Sequence, residues 1–269
     1  MRKTFLAVSI LSVLLYSCKE EDVINNPELT STQACQDHLT AENIFSDVGR
    51  IVEAGLKDNG QNKGCPSYNM INSDTSESGI LIIDFGSANC MHNGKLRSGK
   101  INIAYSGKYR DSSSVITTTF DNYHVNNNLV QGERISINKG INNKGNMWFT
   151  IEVNDASIGT SNGAINWESN LVREWINGKN TYLDISDDEY KITGNASGNG
   201  VNGNSFKMTI IDTLNVHLGC LPSCVIKSGT AKIQPNGYAD RIINYVDSLC
   251  DCNIDVLING TNYPIVNAN

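Results

Sequence analysis

Apolar and polar residues change rhythm twice along the chain. At the N-terminus the apolar positions run together, with Phe5–Tyr16 broken only by Ser9 and Ser12. Further on they take a helical period: Ile44, Phe45, Val48, Ile51, Val52 and Leu56 fall on one stripe. That spacing predicts a helix over Thr40–Lys57, with Thr40 as its N-cap and Asp58-Asn59-Gly60 as its stop. From Gly79 the period becomes two. "INIAY" sets Ile101, Ile103 and Tyr105 against Asn102 and Ala104. "FTIEV" sets Phe149, Ile151 and Val153 against Thr150 and Glu152, and "FKMTI" repeats the pattern with Phe206, Met208 and Ile210. Strands with one buried face read this way.

Asn-Gly pairs at 93–94, 162–163, 177–178, 202–203, 236–237 and 259–260 separate these runs. They tolerate the positive φ of tight hairpin turns. The expected fold is therefore mainly β: an antiparallel up-and-down meander or sandwich-like sheet with one N-terminal amphipathic helix. One β-rich domain over 35–269 is expected, a division near Asp184–Asp188 being the alternative. The glycine-rich run 194–203 lies between strands and reads as a loop, not a phosphate cradle.

The N-terminal run carries an address. Arg2 and Lys3, the apolar stretch and Ser17 compose a secretory signal. About a dozen apolar residues are too few to cross roughly 30 Å of hydrocarbon as a helix. Cleavage after Ser17 by an ordinary signal peptidase would release a soluble protein. "LLYSC", however, resembles the lipobox of bacterial lipoproteins, which implies that Cys18 becomes the lipidated first residue. Residues 1–17 are then the signal peptide and 18–34 the lipidated cysteine with a polar linker. The "KEED" behind Cys18 is a solvated tether, and "CKEED" is also similar to the short export signal of surface lipoproteins in Bacteroidota-type bacteria. The expected location is the cell envelope, lipid-anchored in the outer membrane and facing the exterior. The net charge of −7 and scattered basic residues argue against a nucleic-acid partner.

Seven cysteines remain beyond Cys18, in a compartment where disulfides persist. Cys65 and Cys90 bracket the first strand; Cys220, Cys224, Cys250 and Cys252 bracket the last hairpins and permit three pairings. The odd number leaves one thiol, with Cys35 the candidate, free or paired with another molecule. Four thiolates at C-x3-C and C-x-C would also suit a structural zinc, a rival to the disulfides. His38, His92, His124 and His217 form no metal-binding spacing, each reading as a surface or strand residue, and no nucleophile elbow, zincin motif or P-loop occurs. Asp184, Asp187, Asp188 and Glu189 are a calcium candidate against the reading of a solvated turn. Trp148, Trp167 and Trp175 would bind sugar if they shared an exposed face, whereas strand tryptophans more often pack.

"IDFGSANCMHNGKLRSGKINIAYSGKY" and "SSVITTTFDNYHVNNNLVQGE" together resemble an uncharacterised family of Bacteroidota lipoproteins. The matching positions are Ile83–Gly86, Cys90, Asn93-Gly94, Arg97–Lys100 and Thr118–Val125, and "CVIKSGTAKI" and "CDCNIDVLING" look like the same family's C-terminal hairpins. The resemblance implies a β-rich, lipid-anchored envelope protein and no particular activity. The expected function is a non-enzymatic binding or structural module without a cofactor, with a glycan or an envelope protein as partner. The alternative is an extracellular polysaccharide hydrolase or glycan-binding protein, for which two facing carboxylates beside an exposed tryptophan would speak.

Overall fold

A computed structural model describes residues 29–58, 64–71, 77–181, 184–245, 250 and 252–266. The signal peptide, Cys18 and all but the last residues of the expected linker lie outside that set. Chain order begins with helix α1 (Gln33–Asp58), followed by β1 (Ser67–Met70), β2 (Gly79–Asp84), β3 (Cys90–His92) and β4 (Lys95–Tyr105). The long central strands are β5 (Val115–Val125), β6 (Asn128–Ile141), β7 (Met147–Thr160), β8 (Gly163–Asn177), β9 (Glu189–Asn199) and β10 (Ser205–His217). After a short 3-10 turn come β11 (Ile226–Pro235), β12 (Arg241–Tyr245), β13 (Asn253–Ile258) and β14 (Thr261–Val266).

All the strands form one antiparallel sheet in which each pairs with the next, β3 alone branching off beside β4. The Asn-Gly turns stand where the pattern put them. Asn93-Gly94 and Asn259-Gly260 carry positive φ at both residues, the geometry of a two-residue hairpin. Asn126 and Asn127 do the same between β5 and β6 without a glycine, so that hairpin carried no Asn-Gly signal.

Laid flat, the strand path would be roughly 60 Å wide at 4.8 Å per strand. Yet one helix of about 10–12 Å diameter reaches nearly all of it. Gly55 packs against Tyr68 on β1 and against Leu81 and Ile83 on β2. Phe45 meets Phe120 on β5 and stacks on Trp167 of β8, and Glu42 meets Tyr245 of β12. The sheet is therefore curled around α1, which fills its concave side.

The helix starts about two turns before Thr40, inside the stretch assigned to the linker. The Thr32 carbonyl accepts from the amides of Cys35 and Gln36, and Ser31 Oγ accepts from the Gln33 amide. Thr40 is thus mid-helix, its hydroxyl donating to the Gln36 carbonyl. The early turns escaped the apolar count because two of their buried residues, Asp37 and His38, are polar.

"INIAY", "FTIEV" and "FKMTI" turn inward the apolar faces expected of them. On β6 the alternation reverses: Arg134, Ser136 and Asn138 are buried while Ile135 and Ile137 lie on the other face. Residues 194–199 belong to β9 and not to a loop. Gly194 is needed there because a Cβ would come within 2.2 Å of the Asn170 carbonyl oxygen on β8. Three disulfides join Cys65–Cys90, Cys220–Cys250 and Cys224–Cys252, selecting one of the three C-terminal pairings and leaving no thiolate set for zinc. Cys35 is free and buried on α1.

Candidate functional site

A helix inside a curled sheet cannot touch every inward residue, and the space left over is a cavity of about 370 Å³ beside α1. Its walls are mostly hydrocarbon. Ile151 and Val153 on β7, Trp167 and Leu171 on β8, Ile192 on β9, Val216 on β10, Ile226 on β11 and Ile254 on β13 all face it. One lip is the turn and loop running from Leu218 to Val225, tied down by Cys220–Cys250 and Cys224–Cys252. Leu221 and Ile185 line the space and are also exposed to solvent, so the rim is apolar too.

Charged side chains enter this wall, and nearly all of them are paired. Asp47 on α1 takes Arg97 Nη1 at 2.8 Å, Arg50 at 3.4 Å and Lys95 at 3.9 Å. Glu53 pairs with Lys57 at 3.4 Å. The Arg173 guanidinium lies 4.7 Å from the Tyr190 ring and 4.9 Å from Phe149, and donates to the Tyr109 hydroxyl. Glu42 has His38 Nε2 and the Tyr245 hydroxyl on its Oε2, each at 3.5 Å.

Arg134 differs. It is buried, lines the cavity, and has no hydrogen bond or ion pair within 4 Å among the described residues. Its guanidinium lies against α1 at Gly49, where a Cβ would come within 2.8 Å of Nη2. Burial draws its pKa down to about 10, against the pull of Glu53, so it stays charged at neutral pH. The cross-strand register places Thr118, Arg134, Val153 and Ser169 in one inward row over β5 to β8. The hydroxyls of Thr118 and Ser169 are buried and likewise lack a partner among the described residues. Only Ser169 of these two reaches the cavity wall.

A short polar chain closes the far side. Trp167 Nε1–H donates to His38 Nδ1 at 3.2 Å, which leaves the His38 proton on Nε2, facing Glu42. Complete burial pushes His38 down to about 3 and Glu42 up to about 7. His38 is therefore a core helix residue, not the surface or strand histidine expected from its isolation in sequence.

The predicted site residues scatter. Trp167 lines the cavity from inside, Trp175 is buried and donates to Asp188 Oδ1 at 3.2 Å, and Trp148 is half-buried on the opposite face of β7 from its buried neighbour Phe149. They share no exposed face and make no sugar platform. The four acids of the calcium candidate point to separate partners: Asp184 to Ser186, Asp187 to Thr181, Asp188 to Trp175 and Tyr190, Glu189 to His217. No three metal-binding side chains gather anywhere among the described residues, nor is any helix there long and apolar enough to cross a membrane. Arg134 and Ser169 gave no motif in sequence. Their one signal was polarity at inward strand positions, visible only once the register is known. No family model matches the chain, and neither a curated protein nor a solved structure is similar to it at a meaningful level.

Proposed function

We propose that this is a lipid-anchored cell-envelope protein that binds a small, largely apolar molecule between α1 and the sheet, and that it does so without catalysing a reaction. The observation that carries the binding reading is the cavity itself, with hydrocarbon walls and an apolar rim at Leu221 and Ile185. Ligand sites are typically clefts of roughly 300–1,000 Å³ with apolar linings and a few placed polar groups, and this one falls at the small end. The anchor rests on Ser17-Cys18 behind the apolar run, and the polar residues that follow would hold the body clear of the bilayer.

Thermal unfolding of the full chain carrying Cys18→Ser, titrated with decanol, tests the binding. A ligand at a hundred times its dissociation constant adds about 2.7 kcal/mol, a rise of several degrees. An unchanged midpoint at saturating decanol refutes the cavity reading. The same substitution tests the anchor, because it should move the protein from the membrane fraction to the soluble one.

A further inference from the structure

A purely apolar ligand would explain the hydrocarbon walls but not a cation among them. An isolated buried charge loses its hydration and gains nothing in return, a cost of several kcal/mol in real proteins. The other cations on this wall each have a contact: Arg50 and Lys95 share Asp47 with Arg97, and Arg173 lies against aromatic faces and a phenol oxygen. Arg134, on the central strand β6 and held against α1, makes no hydrogen bond, ring contact or ion pair within 4 Å among the described residues, and Glu53 acts on it only from beyond that distance. The hydroxyl of Ser169, in the same cross-strand row and on the same wall, is also unsatisfied.

We infer that the cavity takes a medium-chain fatty carboxylate, with its head on Arg134 and Ser169 and its chain along the hydrocarbon wall of β7 to β11. This rests on the cavity-binding reading above and adds the chemistry of the ligand. The Arg134 guanidinium touches no carboxylate among the described residues, and a carboxylate head would supply one. The guanidinium fork also fits the two oxygens of a planar carboxylate, and such pairs are among the stronger hydrogen bonds available to a protein. At about 30 Å³ for each water-sized group, 370 Å³ holds roughly a dozen non-hydrogen atoms, the size of decanoate. The reversed alternation of β6 is what turns Arg134 toward this cavity, while Asn138 further along the same face is held by the Tyr109 carbonyl and the Gly140 amide.

The test compares decanoate, decanol and decyl phosphate by calorimetry on the full chain carrying Cys18→Ser. Decanoate should bind at least tenfold more tightly than decanol and more tightly than decyl phosphate. Arg134→Leu should bring decanoate down to the affinity of decanol and leave decanol unchanged. Ser169→Ala should weaken decanoate a few-fold. Should Arg134→Leu fail to fold, Arg134→Lys keeps the charge but loses the fork, and decanoate should then weaken several-fold with decanol again unchanged. Equal affinity of acid and alcohol in the parent protein would overturn the carboxylate while leaving a cavity that binds apolar molecules. Tighter binding of decyl phosphate would overturn it too. If none of the three binds, the cavity reading falls with it.

Discussion

Asp47 holds together the most heavily charged point of the interior, which makes its removal informative. Arg97 is fully buried on β4 and directs Nη1 to Asp47 at 2.8 Å and to the Tyr123 hydroxyl at 2.7 Å. Asp47 is the only carboxylate within 4 Å of Arg97 among the described residues. Asp47→Asn keeps the shape and the hydrogen-bonding oxygen but strands that guanidinium, with Arg50 and Lys95 left facing it. Breaking a buried pair from one side costs about 3–5 kcal/mol, because the orphaned charge keeps its desolvation penalty. For a chain of this size that lowers the melting midpoint by about 6–20 °C. Arg50 is more exposed than Arg97 and its pair with Asp47 is longer, so Arg50→Gln should cost no more than about 1 kcal/mol. The assay is urea unfolding of parent, Asp47→Asn, Arg97→Met and the double variant. The double variant should recover much of the loss, with a coupling of about 2 kcal/mol or more between the two sites. A loss below about 1 kcal/mol in Asp47→Asn, or simple additivity in the double, would refute the claim that this pair neutralises a buried charge.

Other consequences are open to measurement. Glu42 binds its proton more tightly when folded, with a pKa of about 7 against the ordinary 4.5 of an exposed glutamate, so its contribution is fully present below pH 4.5 and is lost as pH rises through 7. His38 acts in the opposite sense, because its depressed value costs stability as pH falls below 6.5, and the comparison must therefore be made against a variant. Glu42→Gln should gain on the parent protein between pH 5 and pH 8 in chemical denaturation, and a constant difference would disprove the shift. The Cys35 thiol is buried and pushed up to about 12, so a thiol reagent should label it only in denaturant. Rapid labelling of the native protein at Cys35 would contradict its burial. Opening Cys224–Cys252 with a double serine substitution should cost roughly 3 kcal/mol in the chain-entropy account and weaken decanol binding, since that bridge holds one lip of the cavity. An unchanged affinity would separate the lip from ligand retention.

The strands, their turns and the helix's apolar stripe were legible in the sequence because each is a local pattern. Phe149, Ile151 and Val153 announced an inward face through alternation alone, and Asn259-Gly260 announced a hairpin through the conformation it tolerates. The interior polar groups were not legible, because their burial is decided by partners far along the chain. Arg97 and Asp47 are 50 positions apart in number and meet only when the sheet wraps the helix, while Trp167 reaches His38 across 129 residues. On β6 the local rule pointed the wrong way: Ile135 and Ile137 look like core residues until the strands on either side fix which face is concave. The same reasoning extended the helix. Asp37 accepts from the Val201 amide at 3.1 Å, a bond that the first helical turns gave no hint of.

A sheet in which each strand but the side strand β3 follows its sequence neighbour along the path has no crossover to protect. Its girth can therefore change by the insertion or loss of a single hairpin, with all other pairings intact. Because α1 keeps a constant thickness, each added pair of strands would enlarge the space beside it, and each deletion would shrink that space toward a solid core. Descendants of such a chain could thus graduate ligand length by counting hairpins, keeping the helix and its charged anchor points as the fixed gauge.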